Sequence, residues 1–66
     1  MKKISREVKN IKLEDLEEKG LYKGFSLRPD TSGGIIKMYQ LGNKIYDAYL
    51  KDFDSKKVDK IIEWNV

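Results

Sequence analysis

The sequence predicts an α+β fold: a short N-terminal helix, a three-stranded antiparallel meander and a C-terminal helix packed on one face of the sheet. Three observations carry this. Two stretches space their apolar residues at the three- and four-residue intervals of a helix, the runs between them alternate with the period of a strand, and Gly42-Asn43 joins two of those runs by a two-residue connection suited to a tight primed turn.

Taken in order, residues 1–10 are polar and basic, with Ile4 and Val8 as the apolar anchors after Met1, which suits an edge strand or a loose arm. From Asn10 onward the pattern is helical. Leu13 and Leu16 are three apart, Glu14, Asp15, Glu17 and Glu18 crowd the early turns, Lys19 comes late, and Gly20 follows. Acids near the start and a base near the end suit the helix dipole, and a glycine just past the end is a favoured stop, so a helix is expected over roughly residues 12–19.

Residues 21–28 alternate, which puts Leu21, Phe25 and Leu27 on one side of a strand and Tyr22, Ser26 and Arg28 on the other. Pro29 to Gly34 reads as a loop, with Gly33 and Gly34 supplying positive φ in a turn. Ile35–Leu41 and Lys44–Leu50 are the next two strands, and the turn between them sets a register. With Leu41 opposite Lys44, the pairs Tyr39/Tyr46, Lys37/Ala48 and Ile35/Leu50 share one face, and Gln40/Ile45, Met38/Asp47 and Ile36/Tyr49 share the other. The first face is the more apolar and is the expected core.

Lys56 to about Trp64 reads as the second helix, with Val58, Ile61 and Ile62 on one stripe. Asp54 is placed as its N-cap and Phe53 as a hydrophobic staple on Val58. Trp64 falls off that stripe by about a third of a turn.

Length and composition bound the rest. A chain of 66 residues with 39% hydrophobic content holds one core, so residues 1–66 are read as a single small domain. A core of this size rarely supplies more than about 3–5 kcal/mol. With no cysteine and no histidine, disulfides, thiolate chemistry and the common zinc ligands are excluded, which leaves association with another chain as the usual means of reinforcement. Behind the basic start Met1-Lys2-Lys3 there is no apolar run of a signal peptide, and no stretch approaches the length of about 20 residues a bilayer requires, so a cytoplasmic, non-membrane protein is expected.

Chemistry-bearing clusters are few. Asp47, Asp52 and Asp54 are the acids nearest to a cation site, but they lack the spacing of a calcium loop, and Asp54 is wanted as a cap. Gly33-Gly34 is followed by a strand where a phosphate cradle would need a helix start or a lysine. No catalytic, metal or cofactor-binding residue is therefore assigned, and an enzyme is not expected, since general acid–base work would rest on surface carboxylates, lysines or tyrosines with no pocket-like spacing.

Two binding surfaces compete. Ile36, Met38, Ile45 and Tyr49 gather on the second sheet face, which only the short first helix is free to cover, and contiguous apolar patches of this kind mark interaction sites. Trp64 joins them as a hot-spot candidate. The rival surface combines Tyr22 with Lys23, Arg28, Lys37, Lys44 and Lys51, because a single-strand nucleic-acid platform uses rings to stack bases and cations to hold phosphates. The net charge of +3 permits this, although fourteen basic residues are interleaved with eleven acidic ones.

Three strands followed by a helix, with Lys56-Lys57 at its start, resemble in arrangement the arm-binding domains of integrases and the double-stranded-RNA-binding domains, a likeness that implies nucleic-acid binding. In its Lys- and Ile-rich style the chain also resembles small proteins of low-GC bacteria and their phages, which implies a mobile element as its source. The resulting expectation is a small non-enzymatic interaction module, an adaptor, modulator or inhibitor of a larger protein that binds a protein partner or itself. A basic nucleic-acid-binding accessory protein is the alternative.

Overall fold

A computed structural model of the chain describes residues 5–65, so Met1, Ile4 and Val66 lie outside the described residues. The elements are β1 (Ser5–Val8), α1 (Leu13–Lys19), β2 (Leu21–Leu27), β3 (Ile35–Leu41), β4 (Lys44–Leu50) and β5 (Val58–Asn65). All strands belong to one antiparallel sheet in the order β1-β5-β4-β3-β2. The chain meanders from β2 to β5, and β1 pairs with β5 on its far side. The connection from β1 to β2, which contains α1, therefore links the two edges of the sheet.

This overturns the expected fold class: the described chain is mostly a five-stranded antiparallel sheet with one short helix. Among the described residues there is no C-terminal helix, and the sheet has five strands, not three. Residues 58–65 do carry a helical stripe, but they also alternate: Ile61 and Glu63 face the core side, while Lys60, Ile62 and Trp64 face away. Val58, Ile61, Ile62 and Trp64 are strand formers by type. The deciding term is tertiary. In a three-stranded meander β4 would be an edge with unpaired backbone groups, and as a strand this segment pairs with β4 along its whole length while Ile61 packs beside Ala48 and Val8. Asp54 consequently caps nothing, Lys56-Lys57 precede a strand, and Phe53 does not staple Val58. Its ring, 49% exposed, meets Phe25 edge to face at 5.2 Å, with Lys37 Nζ 4.7 Å from its centroid.

The helix forms within its predicted span. Asp15 accepts a hydrogen bond from the Lys12 backbone N–H at 3.3 Å, and Gly20 donates to the Leu16 carbonyl at 2.8 Å. Gly20 is extended instead of left-handed, and its value is closeness: a Cβ there would lie 2.7 Å from the Leu16 oxygen and 3.3 Å from Tyr39 Cβ. Leu13 and Leu16 are the buried residues of α1, and they join Tyr39, Tyr46, Ile35, Ala48, Leu50, Ile61 and Val8 in one core. Thus α1, not a second helix, covers the Tyr39/Tyr46 face.

The β3–β4 register is the one the turn predicts, pair for pair from Ile35/Leu50 to Leu41/Lys44. Gly42 has φ +65° and Asn43 is not in the positive region, the sign pattern of a type II′ turn. In β2 the simple alternation fails. The register shifts between Tyr22 and Gly24, where Gly24 takes φ +122°, and the extra residue Lys23 flips what precedes it. Tyr22 therefore lies with Phe25 and Leu27 on the helix side, and Leu21 joins Ser26 on the other. Gly33 has the positive φ expected of it, whereas Gly34 is needed for close approach: a Cβ there would sit 2.8 Å from Arg28 Cδ and 3.0 Å from the Leu50 oxygen.

Candidate functional site

The sheet face opposite the core is laid out by the pairing. Along one row run Gln40, Ile45 and Trp64; along the next, Met38, Asp47 and Ile62; along the third, Ile36, Tyr49 and Lys60. Ser5 and Glu7 of β1 extend the first two rows, and Leu21 of β2 lies beside Gln40. All nine residues of the three rows are half-buried by one another. Among the described residues no helix or second sheet packs over them, because α1 lies on the other side.

The five residues assigned to protein interaction, Ile36, Met38, Ile45, Tyr49 and Trp64, thus come together on one face. Trp64 arrives there as part of β5, not as the end of a helix. Sequence reasoning missed Ile62, which had been placed on a core-facing helical stripe. The signal that could have found it is the alternation of Lys60, Ile62 and Trp64 against Ile61 and Glu63.

At the middle of the face, Asp47 accepts a hydrogen bond from Trp64 Nε1 at 2.7 Å. Burial pushes its carboxyl above the ordinary range, and the indole hydrogen bond pulls it back only in part. Tyr49 lies between two cations, with Arg28 Cζ at 5.4 Å and Lys60 Nζ at 4.7 Å from its centroid. The patch therefore has an apolar body, one acid at its centre and a cationic rim at one end.

Several residues of the rival surface are engaged within the fold. The Arg28 side chain, only 7% exposed, is held by both oxygens of Asp30 at 2.9–3.0 Å, by Asp59 at 2.7 Å and by the Leu50 carbonyl at 3.3 Å. Those hydrogen bonds to Asp30 and Asp59 raise its pKa further and, in turn, hold the Asp30 carboxyl below its ordinary range. Lys37 is stacked on Phe53, Lys44 donates to Asn65 Oδ1, Lys23 sits in the bulge at the sheet edge, and Lys51 lies in the exposed loop after β4. Tyr22 packs against Tyr39 with centroids 5.5 Å apart. Tyr22, Lys37 and Lys44 stand on the helix side of the sheet, and Arg28 packs at the Tyr49 end of the other face.

Two further features went unread in the sequence. Edge strand β2 exposes Leu21, Tyr22, Phe25 and Leu27, with Phe53 beside Phe25. Only strand order reveals β2 as an edge, so pattern alone could not single these out. An open groove of about 500 Å³ between the start of α1 and the segment entering β5 is ringed by Lys9, Lys12 and Lys56, with Glu14 and Glu17 among them. Its mixed signs neutralise one another locally. Among the described residues Asp47, Asp52 and Asp54 do not converge, and no group of three His, Cys, Asp or Glu side chains has metal-binding geometry. No described helix is long and apolar enough to cross a membrane.

Comparison with protein families, with curated proteins and with solved structures finds no match to this chain.

Proposed function

We propose that this chain is a small non-enzymatic protein-interaction module of the cytoplasm, an adaptor, modulator or inhibitor that docks on a larger protein through the open face of its sheet. What supports the reading is one observation: Ile36, Met38, Ile45, Tyr49, Ile62 and Trp64 form a contiguous apolar surface across three strands with nothing described above them. A tryptophan and a tyrosine within such a surface are the side chains that most often anchor a partner.

The experiment is capture from a lysate of the source organism with the immobilised domain, with and without nuclease, using Met38→Asp and Ile45→Asp as controls. A partner retained through nuclease treatment and lost with either variant supports the reading. Capture that depends on nucleic acid, or that both variants retain, argues against it. A charge placed in a surface that must lose its water on binding is strongly disfavoured there, yet costs little while the face is wet.

A further inference from the structure

We propose that the open face receives a protein segment that presents one basic side chain, arginine or lysine, from an otherwise apolar surface, with Asp47 as the anchor for that cation. This rests on the reading of the face as a binding surface and specifies the partner's chemistry.

Asp47 is the only acid within the three rows, and it stands at their centre: Met38 and Ile62 flank it across the strands, and Ile45 and Tyr49 flank it along β4. A carboxylate has about four acceptor positions. Among the described residues the one side-chain hydrogen bond it receives comes from Trp64 Nε1, so Oδ2 is engaged and Oδ1 has no side-chain donor among them. The neighbouring cations do not fill that position. Lys60, on the adjacent strand, stands over Tyr49 instead, and Arg28 is occupied by Asp30 and Asp59.

Covering the face with a wholly apolar partner would strip the water from Oδ1 and leave a charge without a counterpart, which is strongly disfavoured. A second copy packed through the centre of the patch would set Asp47 against Asp47 and oppose two like charges. A partner whose apolar surface carries a single cation meets neither difficulty. Arginine fits best by shape, since its planar guanidinium donates to a carboxylate while stacking on an adjacent ring, and Trp64 and Tyr49 both lie next to Asp47.

The test is a selection from a displayed library of random linear peptides on the wild-type domain, followed by affinity measurements on the enriched peptides and sedimentation velocity of the domain alone. The expected result has four parts. The domain alone is monomeric, the enriched peptides carry an arginine or lysine among apolar residues, Ile45→Asp abolishes their binding, and Asp47→Asn weakens it about tenfold or more. Asparagine keeps an acceptor for the Trp64 indole, so the folded face is preserved. Peptides lost with Ile45→Asp that lack a basic residue, or that bind Asp47→Asn as well as wild type, would overturn the proposal and leave the face a binding surface of another chemistry. Self-association abolished by Ile45→Asp would overturn it in favour of a second copy. Absence of any binder, or binders indifferent to Ile45→Asp, would overturn both the proposal and the reading beneath it.

Discussion

Asp47 and Glu63 sit one sheet face apart and show how the same side-chain chemistry is given opposite roles. Glu63, the one buried acid among the described residues, accepts from the Tyr46 hydroxyl at 2.8 Å and from Arg6 Nε at 3.0 Å. The Tyr46 hydrogen bond, followed by that from Arg6, holds its carboxyl below the ordinary range, while burial first and this same bond second push the Tyr46 hydroxyl up. A depressed carboxylate stabilises the fold above its unfolded pKa, ordinarily about 4.3 for glutamate, and that contribution is lost as pH falls through the lower folded value. Glu63→Leu should therefore lower the melting temperature by several degrees at pH 7, with the gap to wild type closing as the solution is acidified. Asp47 has the opposite sign. Its raised pKa makes its ionised form a small cost at neutral pH, relieved as pH falls through the folded value. Asp47→Asn should leave the isolated domain unchanged or stabilise it by no more than about 0.5 kcal/mol, because a half-exposed carboxylate is largely screened. Urea titration at neutral and acid pH checks both signs.

At the scale of elements, β5 decides the architecture. It is an interior strand between β1 and β4, and Ile61 on it is 2% exposed, so Ile61→Ala should cost about 2–4 kcal/mol in urea unfolding. Phe53, by contrast, lies in the loop before β5 and touches Phe25 and Lys37 at the surface, so Phe53→Ala should cost less than about 1 kcal/mol. A helical C-terminus stapled by Phe53 would instead make Phe53→Ala cost about 3 kcal/mol or more. Helix α1, the Gly42 turn and the β3–β4 register were legible in the sequence because each is set by residues close to one another along the chain. The strand nature of residues 58–65 was not, because Val58, Ile61 and Ile62 satisfy a helical stripe and a strand pattern alike, and the choice is made by the unpaired side of β4. The bulge in β2 was hidden for a related reason. Gly24 shows itself as a hinge only once a partner strand defines the register it breaks.

At the scale of the whole molecule, one seven-residue helix cannot cover two faces of a five-stranded sheet, and it covers the one that holds Tyr39 and Tyr46. The apolar content of the open face could be read from the alternation of β3 and β4 alone, and four of its members were found that way. Trp64 was singled out for its type, and Ile62 was missed with the strand that carries it. The asymmetry between the two faces underlies the proposed function, and one comparison tests it directly: urea unfolding of Ile45→Asp beside Ala48→Asp. Both changes put an aspartate on β4, the first on the open face and the second at a position with 0% exposure in the core. Ile45→Asp is expected to unfold cooperatively within about 1.5 kcal/mol of wild type and to keep its near-ultraviolet circular dichroism, while Ala48→Asp, with a charge buried without a partner, is expected not to fold. If Ile45→Asp is unfolded as well, the face is part of the protein's own core and the binding surface lies elsewhere, with the exposed Phe25, Leu27 and Phe53 at the β2 edge as the next candidate.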